Sequence, residues 1–328
     1  MSNLHRKETV RDVTWDYARG IAIVMIVLHH LYPRFYIDPA VHPDSIVYFI
    51  CYTCQLPIFM FVSGLFANSS ANRYGTIELI KNRIVRLLLP FFSFILIWAL
   101  IVPESIPRVF FENFKDGYWF TFVLFEMMVI LAVCKYLSKK TNKSLFLFIV
   151  VFYVLFTIYE LAIPRINNTI NGLFSLNLVW HYFPFFIMGY YSNMLSQLFQ
   201  MRFAAIYALL YAIAQFFFIQ YENHALIPLC NIFSLLLVIT LFTHGIRPFE
   251  RTFANIGFYS LQIYLLHFFL RLFINEIEIR DNPIEDFLLN VVLTASTIII
   301  SILVARLIMK NEALALLLFG IKKKKQFT

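Results

Sequence analysis

The amino-acid sequence predicts an all-α protein, a polytopic integral membrane bundle of about ten transmembrane helices with both termini cytoplasmic. Three observations predict it. Of 328 residues, 60% are hydrophobic and only 14% charged, whereas an ordinary soluble domain carries about 25% charged residues. The apolar residues gather into ten runs, each close to the ~20 residues a spanning helix needs. Lys and Arg are distributed unequally between alternate loops, as the positive-inside rule requires.

The ten runs cover approximately residues 14–32, 46–66, 84–102, 118–137, 145–163, 174–194, 203–220, 226–244, 254–274 and 287–309. With the N-terminus placed inside, twenty-one of the 27 Lys and Arg residues fall on the cytoplasmic side. Arg34, Arg108, Lys115, Arg165, Arg271 and Arg280 fall outside. The same distribution accounts for the net charge of +8. The charges sit in short loops and form no continuous basic face, so a lipid bilayer is the expected partner and nucleic acid is not. Residues 1–312 are expected to form one membrane domain and residues 313–328 a short interfacial, basic tail, with Lys322–Lys325 anchoring topology or touching anionic lipid. The polar, basic N-terminus is followed by no small-residue cleavage site, so the first run is expected to remain as a helix.

Ionisable groups inside a bilayer are costly and are functional candidates by default. The first run carries Asp16, Arg19 and, eleven residues after Arg19, His30. Three helical turns plus about 20° place Arg19 and His30 on one face, about 16 Å apart along the axis. Asp16 is positioned to pair with Arg19. Arg19 alone is also readable as a snorkelling anchor and His30 as an interfacial histidine, but a deep neutral imidazole suits general-base chemistry. His29 points 100° away from His30 on the helix and is not assigned to catalysis.

The second run contains Cys51 and Cys54, read as buried apolar cysteines in the absence of a redox-fold context. It also contains Pro57 and Ser63-Gly64, which suggest a kink and close packing. The third begins with Arg83 and Arg86, two guanidiniums one turn apart that can grip phosphate oxygens or simply anchor the inner end. In the fourth, Glu126 lies about two turns inside, after Trp119, as a candidate partner for an intramembrane histidine. His181 lies near the outer end of the sixth, where it either touches an acceptor or joins an aromatic belt. The ninth carries Ser260, Gln262, Tyr264 and His267 within eight residues, groups that face a bundle interior or cavity in a spanning helix. No zinc-type ligand cluster, phosphate-binding glycine loop, dinucleotide fingerprint or nucleophile elbow is present, and no metal is expected.

Four of these segments together resemble a known family. Asp16-Tyr17-Ala18-Arg19-Gly20-Ile21-Ala22 through His30 is similar to an Arg-x10-His signature. Pro57-Ile58-Phe59-Met60-Phe61-Val62-Ser63-Gly64 resembles the second-span box, and Arg83-Ile84-Val85-Arg86 with Pro90 the R-x-x-R motif. Gly257-Phe258-Tyr259-Ser260 through His267 resembles the late G-x-x-S…Y-x-x-H box. These are the motifs of membrane acyltransferase family 3, in particular its compact branch of fucose and surface-polysaccharide O-acetylases. They occur in the family's order between about residues 12 and 309.

The resemblance implies an acyl-CoA-dependent O-acyltransferase, most simply an O-acetyltransferase of the bacterial cytoplasmic membrane. It would take acetyl from cytoplasmic acetyl-CoA and deliver it to a hydroxyl of a cell-surface glycan or its lipid-linked precursor. It implies His30 as the catalytic residue and Arg19, Arg83 and Arg86 as ligands of the coenzyme A phosphates. Two departures stand out. Many larger relatives carry Trp-Ser-Leu-x-x-Glu in the fourth span where this chain has Trp119-Phe120-Thr121-Phe122, with Glu126 later. Some also carry an extra-membrane esterase-like domain, which is not expected here. A rival reading, a transporter or flippase for a lipid-linked sugar or small solute, suits ten spans with polar interiors. It lacks the inverted-repeat hydropathy of many transporters.

Overall fold

The computed structural model describes residues 12–31, 45–162, 168–221, 223–274 and 283–322. Arg6, Lys7, Arg11, Arg34, Arg165, Arg280, Lys323, Lys324 and Lys325, which carry part of the expected charge asymmetry, lie outside the described residues. Among the described residues all extended regular structure is helical, because lipid offers the backbone no hydrogen-bond partner and each segment must satisfy its own. The helices are α1 (Val13–Leu31), α2 (Ser45–Arg73), α3 (Thr76–Arg83), α4 (Leu89–Ile101), α5 (Ile106–Phe111), α6 (Trp119–Thr141), α7 (Leu145–Ala162) and α8 (Asn168–Phe174). They continue as α9 (Leu176–Tyr190), α10 (Ala204–Tyr221), α11 (Ile227–Thr243), α12 (Glu250–Phe258), α13 (Ser260–Ile274), α14 (Pro283–Ile308) and α15 (Glu312–Phe319).

Among the described residues, seven helical runs are long and apolar enough to cross a membrane: α2, α3 through α4, α6, α7, α10, α11 and α14. The α12–α13 pair, bent by 76° at its break, makes an eighth if it is one span. The chain is a multi-pass membrane protein. Two of the ten expected spans fall outside this set for identifiable reasons. α1 holds Asp16, Arg19, His29 and His30 within 19 residues, and α9 is 15 residues long. Both are walled by the other helices: Ala22, Ile23 and Val27 of α1 and Phe186 of α9 are fully buried.

Small residues let main chains touch where α1 and α9 cross their neighbours. A side chain at Gly20 of α1 would collide with the Phe253 carbonyl of α12, and one at Gly257 of α12 would collide with the Asp16 carbonyl of α1. Gly64 of α2 and Gly189 of α9 make the same reciprocal contact through the Phe186 and Phe61 carbonyls. Close backbone approach of this kind replaces the hydrophobic drive that is missing between helices in lipid.

Between α3 and α4 the backbone widens into a π turn at Ile84–Leu88. Pro90 has no N–H to give the Arg86 carbonyl. The ladder steps instead to i→i+5, with the Leu89 N–H donating to Ile84 O, a distortion that often marks functional sites. At the far end of the bundle Lys115 is almost wholly buried and anchors the entry to α6. Its ammonium donates to the carbonyls of Gly172 (2.6 Å), Leu173 (2.8 Å) and Phe110 (3.1 Å). Burial pushes that ammonium down to about 8.

The segment expected to lie at the interface forms α15, docked on α4. Asn311 caps it by accepting the N–H groups of Ala313 (2.9 Å) and Leu314 (3.2 Å). Ser93 donates to the Leu317 carbonyl (2.9 Å), and Phe319 stacks on Phe94.

Candidate active site

Two cavities open along the core helix α1. The first, about 170 Å³, contains the arginines and is lined by Arg19, Ser63, Phe66, Arg83, Ser260 and Tyr264, among others. Arg19 pairs with the buried Asp16 one turn earlier and lies over the Phe66 ring at 5.2 Å. The pair forms because residues three apart share a helix face, and the aromatic face adds a cation–π contact. Arg83 donates from Nη2 to Ser70 Oγ at 2.6 Å. Its buried Nε has no partner among the described residues. Both guanidiniums are thus held by a side-chain partner, and Arg83 keeps a donor to spare.

The second cavity, about 840 Å³, contains His29 and His30 of α1 and opens towards the other end of the bundle. Its wall includes Tyr52 and Gln55 of α2, Trp119 of α6, Asn177, His181 and Tyr182 of α9, and Arg271 of α13. Trp119 and Tyr182 stack at 5.6 Å with planes 18° apart, giving a flat aromatic platform. Gln55 is 2% exposed. Its Oε1, both ring nitrogens of His29, Asn177 Oδ1, Glu160 Oε1 and Arg271 Nε are buried with no partner among the described residues. Native interiors pair nearly all such atoms. Five lining side chains with such atoms surround one cavity, which gives it a polar wall able to hydrogen-bond a polar molecule.

The cavities adjoin. Ile26, Phe120 and Tyr264 line both. Tyr264 fixes this junction, since its hydroxyl donates to Gly117 O (2.8 Å) and accepts from the Phe120 N–H (3.1 Å), tying α13 to the first turn of α6. Arg19 therefore opens on one chamber and His30 on the next, on one face of one helix. His30 Nδ1 lies 2.8 Å from His267 Nε2.

Of the residues singled out from sequence, Arg19, Arg83, Ser260 and Tyr264 line the arginine cavity, and His30, Trp119, His181 and Tyr264 line the histidine cavity. Asp16 holds Arg19 and His267 holds His30. His181 lies 3.0 Å from Asn231 Nδ2. Arg86 stands apart: it is exposed and outside the lining of both cavities. A π turn rotates the chain less per residue than an α-turn, so Arg86 is not carried round to the side of Arg83. Glu126 also lines neither cavity, and its Oε2 is buried without a partner among the described residues. It does not meet the histidines. His29, set aside on helical geometry, lines the histidine cavity after all and stacks on Tyr48 at 4.5 Å. The chamber is wide enough to take in neighbouring faces of α1. Gln55, Asn177 and Tyr182 carried one legible signal, polar atoms in or beside apolar runs. All four cysteines are free and buried. Among the described residues no three His, Cys, Asp or Glu side chains converge as a metal-binding group.

Fold and site define a multi-pass helical membrane protein whose polar interior runs from paired guanidiniums to paired imidazoles. The family is settled by comparison with known proteins. The sequence model of acyltransferase family 3, described as an acyltransferase domain, matches residues 12–306, and the chain belongs to that family. A curated relative, the nodulation protein NolL of Sinorhizobium fredii (strain NBRC 101917 / NGR234), is 29% identical over 111 residues, or 31% of this chain. The match spans about a quarter of that relative's length, 27%. No solved structure matches the chain.

Proposed function

We propose that this chain is an O-acetyltransferase of the bacterial cytoplasmic membrane, using acetyl-CoA as donor and a hydroxyl of a surface saccharide or its lipid-linked precursor as acceptor. The observation that carries the reading is the junction at Ile26, Phe120 and Tyr264, where a guanidinium-lined chamber adjoins an imidazole-lined one. Arg19 and Arg83 suit a polyanion and the narrow chamber suits a slender pantetheine arm. Arg86, outside at the same end, remains for phosphate that does not enter. Taking the arginine end as cytoplasmic agrees with the positive-inside distribution of Lys and Arg.

The wide chamber supports a saccharide acceptor. Trp119 and Tyr182 offer a face for the C–H side of a sugar ring, and Gln55, His29 and Asn177 offer unpaired polar atoms to its hydroxyls. In the transfer, His30 removes the proton of an acceptor hydroxyl while that oxygen attacks the thioester carbonyl. The C–S bond then breaks, the ester forms, and the proton passes from the imidazole to the departing sulfur. Only acetyl crosses the junction. The nucleotide stays with the arginines.

The test is transfer of radiolabelled acetyl from acetyl-CoA into the surface-glycan fraction of membranes carrying the protein. His30→Ala should lower it by about 100-fold or more, the scale of lost general-base catalysis, with insertion and abundance unchanged. Undiminished transfer by that variant, or movement of a sugar that needs no acetyl-CoA, would refute the reading.

A further inference from the structure

The two imidazoles meet in a way that fixes where the protons are. His30 Nδ1 and His267 Nε2 are 2.8 Å apart, the ring planes differ by 2°, and the centroids are 5.1 Å apart. Coplanar rings at that centroid distance with so short an N···N contact lie edge to edge through one hydrogen bond, not face to face. On the other side of His267, Nδ1 lies 2.7 Å from Tyr264 O and 3.1 Å from Ile263 O. A carbonyl oxygen only accepts, so Nδ1 of His267 carries a hydrogen. Its Nε2, in the neutral ring, is then a lone pair. The hydrogen in the short contact belongs to His30 Nδ1, and Nε2 of His30 is left as that ring's basic nitrogen.

We propose that His267 is the positioning residue for His30. It holds the His30 ring in one orientation and in the Nδ1–H tautomer, so that Nε2 is the nitrogen that receives the acceptor proton. It also stabilises the imidazolium that follows, through the Nδ1–H···Nε2 bond. This rests on His30 acting as the base in the reading above. The surroundings supply the rigidity such a role needs. His267 is 2% exposed and packed against Phe268 with centroids 4.1 Å apart. The turn that offers the two carbonyls is pinned to α6 through the Tyr264 hydroxyl. No carboxylate is needed to orient the base: a neutral imidazole backed by main-chain carbonyls does it without placing a further charge in the membrane interior.

The test joins a spectroscopic and a kinetic readout on the full chain in lipid nanodiscs. With 15N-labelled histidine, the His30 signals are assigned by their disappearance in His30→Ala. The wild type should show His30 protonated on Nδ1 and bare on Nε2. His267→Gln, whose amide oxygen can accept from Nδ1–H, should keep that pattern. Loss of the acceptor in His267→Leu should mix the tautomers. In the acetyl-transfer assay, His267→Leu should cut the maximal rate on the order of 10- to 100-fold, the scale for losing a group that orients a functional histidine. The KM for acetyl-CoA should hold, and His267→Gln should recover to within about threefold of wild type. A wild-type His30 carrying its proton on Nε2 overturns the assignment, as does a folded His267→Leu that transfers acetyl like the wild type. If the wild type transfers no acetyl at all, the function is wrong, and the nitrogen spectrum still decides the tautomer.

Discussion

The two chambers differ in size and in how many of their polar groups already have partners. In the arginine chamber the charged groups are already engaged, Arg19 with Asp16 and Arg83 with Ser70, within about 170 Å³. In the histidine chamber, about five times larger at 840 Å³, five lining side chains keep buried polar atoms without partners among the described residues. A chamber whose donors are held in advance loses little freedom when it grips a ligand and suits one invariant polyanion. A chamber with unsatisfied groups gains most from a ligand that completes them and discriminates strongly against one that does not. On the proposed reading, recognition of the donor is rigid and recognition of the acceptor is where selectivity resides.

That contrast is broken or sharpened by substitutions at three positions. The largest effect is expected at Arg83. Arg83→Ala should raise the KM for acetyl-CoA about 10- to 100-fold, since hydrogen bonds to charged groups contribute about 1.5–3 kcal/mol, while the acceptor KM stays put. Arg83→Lys should recover only part, because a point charge lacks the guanidinium fork. Steady-state kinetics that found the acceptor KM shifted instead would reverse the assignment of the chambers.

Gln55→Leu comes next. It removes one buried polar group of the histidine chamber and should raise the acceptor KM by roughly fivefold to tenfold, worth about 1–1.5 kcal/mol. It should also flatten the preference among related saccharides without touching the donor KM. An unchanged acceptor profile would mean that the orphaned atoms do not read the acceptor. The smallest effect belongs to Arg86. Arg86→Ala should raise the donor KM by no more than about threefold, and the difference should fade as salt is added, as it does for exposed charges. A loss as large as that of Arg83→Ala, insensitive to salt, would place Arg86 inside the site.

Much of this was legible in the linear sequence, for physical reasons. Helices in lipid must be apolar along their length, so α2, α4, α6, α7, α10, α11 and α14 announce themselves by composition. Arg19 and His30 lie eleven residues apart on one helix, and helical periodicity alone puts them on one face. The chain hides what depends on irregular backbone or on distant partners. The π turn that leaves Arg86 outside the lining of the arginine chamber follows from Pro90 only once the hydrogen-bond ladder is traced. The 76° break between α12 and α13 leaves no mark in hydropathy. His30 and His267 are 237 positions apart, a pairing that no local pattern encodes. Glu126, a candidate histidine partner from its depth in the fourth run, lines neither chamber, and the facing of α6 that decides this depends on packing far along the chain.

The glycine crossing of α1 and α12 has a reach beyond its own contact. Gly20 lies ten positions before His30 on α1, and Gly257 of α12 lies ten positions before His267 of α13. Where main chain rests on main chain, no layer of compressible side chains absorbs an error. The joint works as a rivet between α1, which carries His30, and α12, which leads into the helix that carries His267. A single methyl at either glycine should therefore spoil the alignment of the two rings from a distance. One of the tightest main-chain contacts among the described residues thus lies outside the lining of both chambers.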